Sequence, residues 1–492
     1  MIDLPNDMQR LLERGAKIVR QSKKVLALSH IDADGITSMA IVIRMLERLG
    51  KEHRWRNVHQ INSESILEVK DLVEEVMPDL VIFSDFGSGQ ISLIEEYLMN
   101  LEYVKRIIIL DHHIPPNERA TINDTETDKI IEINPCQHRI SGSRELSGAG
   151  VSFLFALMVS PENADLSELA IVGATGDLQD YYGKGFSGLN STILEIGIQE
   201  NFISVDKDLT LFGINTRPLP QLLQYATDPY LPGLTGDQDA CYRFFNELGI
   251  ELKDRTDEWR RWVDLNQDEK QKVVQQLIGE LLQFYDDPRV ATGIIGDVIT
   301  LLLRPPRSEV STAKEFSTLL NACGRNRRSD VGVKICLGDE ESFQDGIALL
   351  QQHRANLAMA IRRIEEGGFQ EMDGIYVVND PLTKDTIIGI VIGMAQGSTI
   401  IPGDKPVLGI STNTTDDSPL VKISGRARNQ IVKRGVNLKD VFTTIAESMN
   451  EKHGRLAVEA GGHPMAAGAF VDQEFLEEFV KRVSESIAQI LQ

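Results

Sequence analysis

From its start to about residue 180 the chain alternates unbroken apolar runs with stretches in which apolar residues return at helical spacing. "KKVLALS" (23–29) reads as a buried strand and "ITSMAIVIRMLERLG" (36–50) as the helix after it. "DLVIFSD" (79–85) and "KRIIILDHH" (105–113) repeat the strand pattern, with the helix-like "ISLIEEYLMNLE" (91–102) between them. "GAGVSFLFALMV" (148–159) follows as a helix, and "ELAIVGATGD" (168–177) as a helix end or buried segment running into a polar turn. Strands that are apolar on both faces, separated by amphipathic helices, predict an open, mainly parallel sheet covered on both sides.

The pattern then changes. Between about 190 and 320 it is mostly helical, as in "NQDEKQKVVQQLIGELLQFYDDP" (266–288) and "STAKEFSTLLNACGR" (311–325), the latter opening with a Ser/Thr-x-x-Glu cap. After about 325, "DGIYVVND", "TIIGIVIGMAQGS", "KPVLGIST" and "PLVKISGRARN" read as strands of a second α/β domain closed by a helical tail. The expected organisation is α/β: a parallel-sheet domain at 1–190, a helical connector or insertion at 191–325, and a smaller α/β domain at 326–492.

Composition adds boundaries to this picture. A chain of 492 residues exceeds a single core, and 42% hydrophobic with 25% charged residues is the balance of a soluble globular protein. No apolar stretch approaches spanning length and residues 1–20 are charged throughout, so neither anchor, signal peptide nor membrane partner is expected. The four cysteines stand far apart without CxxC spacing, which argues against a zinc knuckle or disulfide scaffold and fits a reducing cytoplasm. A net charge of −22 opposes non-specific coating of nucleic acid. It leaves open an enzyme that recruits divalent cations to bridge two anions.

The candidate chemistry sits where strands end. "SHIDADG" places His30, Asp32 and Asp34 at alternate positions after the first strand; Asp85 closes the second apolar run, Asp111, His112 and His113 the third, and Asp177 the "GATGD" segment, with Asp180 nearby. Ligands of open α/β sheets bind beyond the carboxyl ends of the strands, so these groups would meet at one edge if the segments are parallel neighbours. That many carboxylates cannot all stay ionised unaided. Two divalent cations resolve the conflict, and carboxylate with imidazole but no thiolate suits Mn²⁺ first, with Mg²⁺, Fe²⁺ and Zn²⁺ behind it. Paired cations are a recurring device for phosphoester hydrolysis. A single Asp after a strand is also an ordinary helix cap or turn former, and Asp111 fits that role as well as a ligand's.

"SHIDADG" with "ILDHH" and "GATGD" resembles the DHH phosphoesterase superfamily, in its RecJ-like single-strand exonuclease branch. "GGHPMAAGAF" and "KISGRARN" resemble the DHH-associated domain, and "LNACGR…DVG" is most similar to the archaeal RecJ-like, GINS-associated nucleases. The resemblance implies one metal held by His30, Asp32 and Asp85 and another by Asp34, Asp85, His112 and Asp177, with Asp85 bridging. It implies that His113 contacts the scissile phosphate and that Asp111 orients the histidines. Bacterial members often carry Asp where this chain has His30, which bears on metal preference at that position. In the second domain it implies phosphate contacts from Gly461 and Gly462, from His463 projecting out of that loop, and from Arg426 and Arg428. Arg325, with Arg327 and Arg328, and Arg144 are further candidates for a strand of nucleic acid.

The implied function is a metal-dependent exonuclease releasing nucleoside monophosphates from single-stranded DNA or RNA, in replication or repair. Two alternatives stay open: a phosphodiesterase of short oligonucleotides or cyclic dinucleotides, and a replication-complex scaffold of the same fold. GINS or other replication proteins are partners implied by resemblance alone.

Overall fold

The computed structural model describes residues 2–59, 61–62, 65–115, 129–180, 185–226, 229–285, 288–398, 400–412 and 420–491. It divides into two compact units, Met1–Leu350 and Gln351–Gln492. In the first, strands β1 (Lys24–Ser29), β2 (Glu52–Asn57), β3 (Leu80–Ser84), β4 (Arg106–Leu110) and β5 (Ile130–Ile133) form a parallel sheet in the order β2-β1-β3-β4-β5. Helices α1 (Asn6–Gln21), α2 (Ala33–Arg48), α3 (Ser65–Val76), α4 (Ile91–Leu98), α5 (Gly148–Val159), α6 (Ser167–Gly176) and α7 (Gly188–Gln199) accompany it.

The apolar runs form strands because both of their faces are buried. Val25, Ala27, Leu80, Ile82, Ile108 and Leu110 pack into a core shared with α1, α2, α5 and α6. The alternate residues Leu26, Leu28, Val81, Phe83, Ile107 and Ile109 pack on the opposite side with α3 and α4. Each of the larger side chains contributes about 1.5–3 kcal/mol by leaving water, so register is fixed from two sides at once. The strand order reverses direction between β1 and β3, and that reversal opens a crevice beyond their carboxyl ends.

The middle of the chain is not purely helical. Strands β6 (Ile203–Leu209) and β7 (Ile295–Leu301) pair antiparallel, Ile203 with Leu301 through Leu209 with Ile295. No hairpin signal announces them, because their intervening chain is itself folded. It holds α8 (Leu219–Gln224), α9 (Gln238–Glu247), α10 (Gln267–Phe284) and α11 (Pro288–Thr292) around a separate core containing Trp262, Phe245 and Leu277. Asn266 and Glu269 cap α10 reciprocally. Next come α12 (Ala313–Arg325) and α13 (Ser329–Cys336), whose Phe316, Leu319, Val331 and Ile335 join the core of the parallel sheet. Residues 326–350, which the sequence pattern groups with the C-terminal domain, therefore pack in the first unit.

Helix α14 (Glu340–Gly367) carries the chain across the division. The second unit has a sheet ordered β12-β13-β11-β10-β9-β8, built from β8 (Gln370–Glu371), β9 (Tyr376–Asn379), β10 (Val407–Ser411), β11 (Leu420–Arg426), β12 (Val458–His463) and β13 (Ala466–Asp472). Its helices are α15 (Ile388–Gly397), α16 (Asn429–Lys433), α17 (Leu438–His453) and α18 (Leu476–Leu491). "TIIGIVIGMAQGS", expected as a strand, is helix α15, with Ile388, Val391, Ile392 and Ala395 buried. A continuous apolar run fits a buried helix as well as a buried strand, and here tertiary packing decides.

Where α12 begins, Glu315 is buried and accepts from the Asn215 N–H (3.3 Å) and the Thr216 hydroxyl (3.1 Å). Burial pushes its carboxyl up to about 7, against the opposing effect of those hydrogen bonds. In the unfolded chain the group ionises near 4.5. Between these values the folded state holds a proton that the unfolded state lacks, so the stabilisation is full at the acid end and is lost as pH rises through the window. Glu315→Gln should therefore raise the thermal unfolding midpoint at about pH 8, with the difference shrinking toward about pH 4. Melts followed by circular dichroism check this, and equal midpoints at the alkaline end would contradict it.

Candidate metal centre

The crevice between β1 and β3 is where the predicted groups collect. The turn after β1 brings His30 and Asp32 to its rim, and Asp32 is the N-cap of α2, its Oδ1 accepting from Gly35 N at 3.0 Å. Its other oxygen, Oδ2, lies 3.0 Å from His30 Nδ1, so one carboxylate both starts a helix and faces the centre. Asp34 lies in the first turn of α2, buried, and accepts from Gly148 N (2.7 Å) and Ala149 N (3.0 Å) at the positive N-terminus of α5.

Asp85 follows β3 with φ of 63°, a left-handed conformation uncommon outside glycine. Its side chain is 2% exposed, with Oδ2 3.7 Å from His30 Nδ1 and Oδ1 3.2 Å from His112 Nε2. That Oδ1 has no hydrogen-bond partner despite its burial. A buried carboxylate oxygen with no donor is a costly arrangement unless a cation completes it.

His112 is oriented from behind. Its Nδ1 donates to the Gly142 carbonyl at 2.6 Å, which turns Nε2 toward Asp85 and toward Asp34 Oδ2 at 3.6 Å. Residue 142 must be glycine for this approach, since a Cβ there would lie 1.8 Å from the His112 carbonyl oxygen. Asp177 comes from the end of helix α6 rather than from a strand, so the expectation of parallel neighbours holds for β1, β3 and β4 and is corrected for this residue. Gln179 holds it in place, donating to Asp177 Oδ2 (2.7 Å) and to the Gly142 carbonyl (2.8 Å), while its own Oε1 accepts from Asn190 (2.7 Å). Sequence reasoning passed over Gln179 and Asn190; the only cue was a glutamine two places after Asp177.

Of the two readings open in the sequence Asp111 takes the turn former's, and it belongs to none of the candidate ligand groups among the described residues. Its Oδ1 accepts from the backbone N–H of His112 (2.7 Å) and His113 (3.1 Å) and from His113 Nδ1 (2.8 Å); its Oδ2 accepts from Ser88 N (2.8 Å). It shapes the turn and orients the imidazole of His113, whose side chain is 56% exposed. Asn134 steadies the same turn by donating to the His113 carbonyl at 2.8 Å.

The electrostatics follow. Burial and the neighbouring Asp85 push Asp34 well above the usual carboxyl range, and burial likewise raises Asp177. Burial opposes protonation of His30 and His112, but the surrounding carboxylates prevail and raise both well above an ordinary imidazole. Burial also opposes ionisation of Asp111, yet its bond from His113 and the charges of His113 and His112 hold it well below the usual range. Without a cation, crowding raises the proton affinity of Asp34, Asp177, His30 and His112 alike.

Two triplets have ligand atoms within 4.8 Å of one another and could each hold a metal: His30, Asp32 and Asp85, and Asp34, His112 and Asp177. A third such group, Asp85, His112 and His113, overlaps the others. The remaining candidates are on other elements. Arg325 ends α12 and its charge acts on Asp32, while Arg144 is exposed after Gly142. Gly461, Gly462 and His463 are not a loop, as expected, but the last residues of edge strand β12, paired with Gly468, Ala467 and Ala466. Arg426 ends β11, and the Arg428 guanidinium donates to the Gln396 carbonyl at the end of α15.

Residues 24–176 match the DHH family N-terminal domain, 211–288 the DHH-CID domain and 376–489 the DHHA1 domain. The uncharacterized protein MJ0831 of Methanocaldococcus jannaschii is 30% identical over 475 residues, covering 96% of each chain. This chain belongs to the DHH family. Among its relatives, the single-stranded-DNA-specific exonuclease RecJ of Haemophilus influenzae is 22% identical over 477 residues, 95% of this DHH protein and 67% of that one. Its fold is like that of an exonuclease RecJ bound to manganese (TM-score 0.55, 18% identity, 99% of this chain and 96% of that one). It is also like that of CDC45 from Entamoeba histolytica (TM-score 0.60, 14% identity, 98% and 97%). The DHH protein is thus RecJ-like, and its membership supports a hydrolase of phosphoester bonds. No helix among the described residues is long and apolar enough to cross a membrane.

Asp85→Asn removes one of the repelling charges while keeping a residue that tolerates positive φ. The rise in melting midpoint that Mn²⁺ gives the unsubstituted chain should disappear. A midpoint that still climbs with Mn²⁺ as in the unsubstituted chain would contradict the shared role of this carboxylate.

Proposed function

We propose that this DHH protein is a two-metal phosphodiesterase that shortens single-stranded nucleic acid by releasing nucleoside monophosphates. The observation that carries the reading is the pair of ligand triplets on either side of Asp85, whose buried Oδ1 lacks a hydrogen-bond partner. The RecJ relatives support the substrate class, and the manganese-bound RecJ of like fold supports Mn²⁺, with Mg²⁺ as the alternative. When bound, two such cations activate a water and neutralise charge on the phosphoryl oxygens.

The chain's own residues do the rest. Gly142 and Gln179 fix His112 and Asp177, so two ligands are oriented before a cation arrives. The Asp111 carboxylate raises the affinity of His113 for its proton, against burial, and gives the ring a fixed direction. An imidazolium at the exposed rim of a two-metal site can stabilise charge developing on a phosphate. The second-domain arginines and His463 remain proposed phosphate contacts, His463 through its exposed position on an edge strand and Arg426 through its place on the same sheet.

The likeness in fold to CDC45 favours a second role, docking on a replication assembly. The filled ligand set argues for chemistry in addition to it.

End-labelled single-stranded DNA and RNA, incubated with and without Mn²⁺, should show stepwise loss of mononucleotides that depends on the metal. Loss only from oligomers of a few nucleotides would replace the exonuclease reading with an oligonucleotidase, and no hydrolysis would favour the scaffold. His113→Ala should slow turnover by about 10²–10³-fold while leaving Mn²⁺ binding unchanged. Loss of a metal in that variant would make His113 a ligand instead.

A further inference from the structure

Helix α12 is remote in sequence from the metal-binding turn, yet its last two turns touch it. Ala33 is the first residue of α2, and like any first-turn N–H its amide has no partner within its own helix. The N-cap carboxylate of Asp32 is directed to Gly35 instead. The Ala33 N–H is satisfied by Asn321 Oδ1 at 3.1 Å, a partner 288 positions away.

Three residues further along α12, Gly324 faces the same turn. A Cβ at this position would stand 2.1 Å from the Ile31 carbonyl oxygen and 3.6 Å from Asp32 Cα, so any larger residue would displace the turn. Spacing of i and i+3 puts Asn321 and Gly324 on one face of the helix. From the opposite side the turn is held by Asn57, which donates to the His30 carbonyl at 2.7 Å. The other end of α12 is fastened in turn, through buried Glu315, to Asn215 and Thr216 at the start of the 211–288 domain.

We propose that Asn321 and Gly324 are positioning residues for the first metal triplet, holding Ile31 to Ala33 so that His30 and Asp32 face Asp85. The inference rests on the metal reading above and adds a residue pair to it. The second triplet has separate supports: Gly148 and Ala149 for Asp34, Gly142 for His112 and Gln179 for Asp177. Loss of α12's contacts should therefore act on one ion and spare the other.

The test is calorimetric titration of the full chain with Mn²⁺, with thermal melts alongside, for Asn321→Leu, Gly324→Ala and Asn321→Asp. The first two should weaken one of two binding events by about 10–100-fold and leave the other as it was. Asn321→Asp, which keeps the acceptor oxygen, should bind both ions at least as tightly as the unsubstituted chain. Both events unchanged in the first two variants, or both weakened together with a fallen melting midpoint, would overturn the proposal. If neither variant folds, or if the unsubstituted chain binds no Mn²⁺, hydrogen exchange at the Ala33 amide decides: slow exchange supports the clamp, and exchange as fast as a frayed helix end overturns it. Absence of Mn²⁺ binding by the unsubstituted chain would sink the metal reading separately.

Discussion

Three carboxylates, those of buried Asp34 and Asp85 and of more exposed Asp177, are drawn to one buried imidazole, and the rest of the first unit is arranged around that fact. Bringing like charges out of water together is unfavourable twice over, through desolvation and through mutual repulsion. The fold meets this cost with apolar strands buried on both faces, which fix the sheet edge rigidly enough to hold the groups in place. The raised proton affinities of Asp34, Asp177, His30 and His112 are the local response to the same constraint. Two divalent cations would relieve it more completely, and the unsatisfied oxygen of Asp85 marks where relief is most needed.

Around this centre, several inward-facing side chains are steered by groups behind them. Gly142 turns His112, Gln179 turns Asp177, Asp111 turns His113, and the N-terminus of α5 receives Asp34. Such preorganisation matters for charge-stabilising chemistry because the reorganisation is already complete before substrate arrives. It also explains why helices distant in sequence, α5, α6 and α12, converge on turns that follow β1 and β4.

Much of this was legible in the sequence. Alternation of His30, Asp32 and Asp34 after an apolar run, and the Asp-His-His triplet after another, located the site because strand ends and polar turns leave strong local patterns. Asp177 was found by its motif, and "ELAIVGATGD", read as a helix end or buried segment, is the end of α6; only its grouping with the parallel strand ends fails. Gln179, Asn190 and Asn321 were missed because a side chain that orients another through one hydrogen bond has no periodic signature. The β6–β7 pair was missed because its two strands are separated by a folded domain, and α15 was misread because a buried helix of Ile, Val and Gly looks like a strand.

The central claim is that acidic and imidazole groups from separate turns enclose a pair of cations. Anomalous diffraction from crystals grown with Mn²⁺ addresses it most directly. The account predicts two peaks, one among His30, Asp32 and Asp85 and the other among Asp34, His112 and Asp177, with Asp85 touching both. A map with no peak in this crevice, or with the ion bound elsewhere and these side chains turned apart, would contradict it.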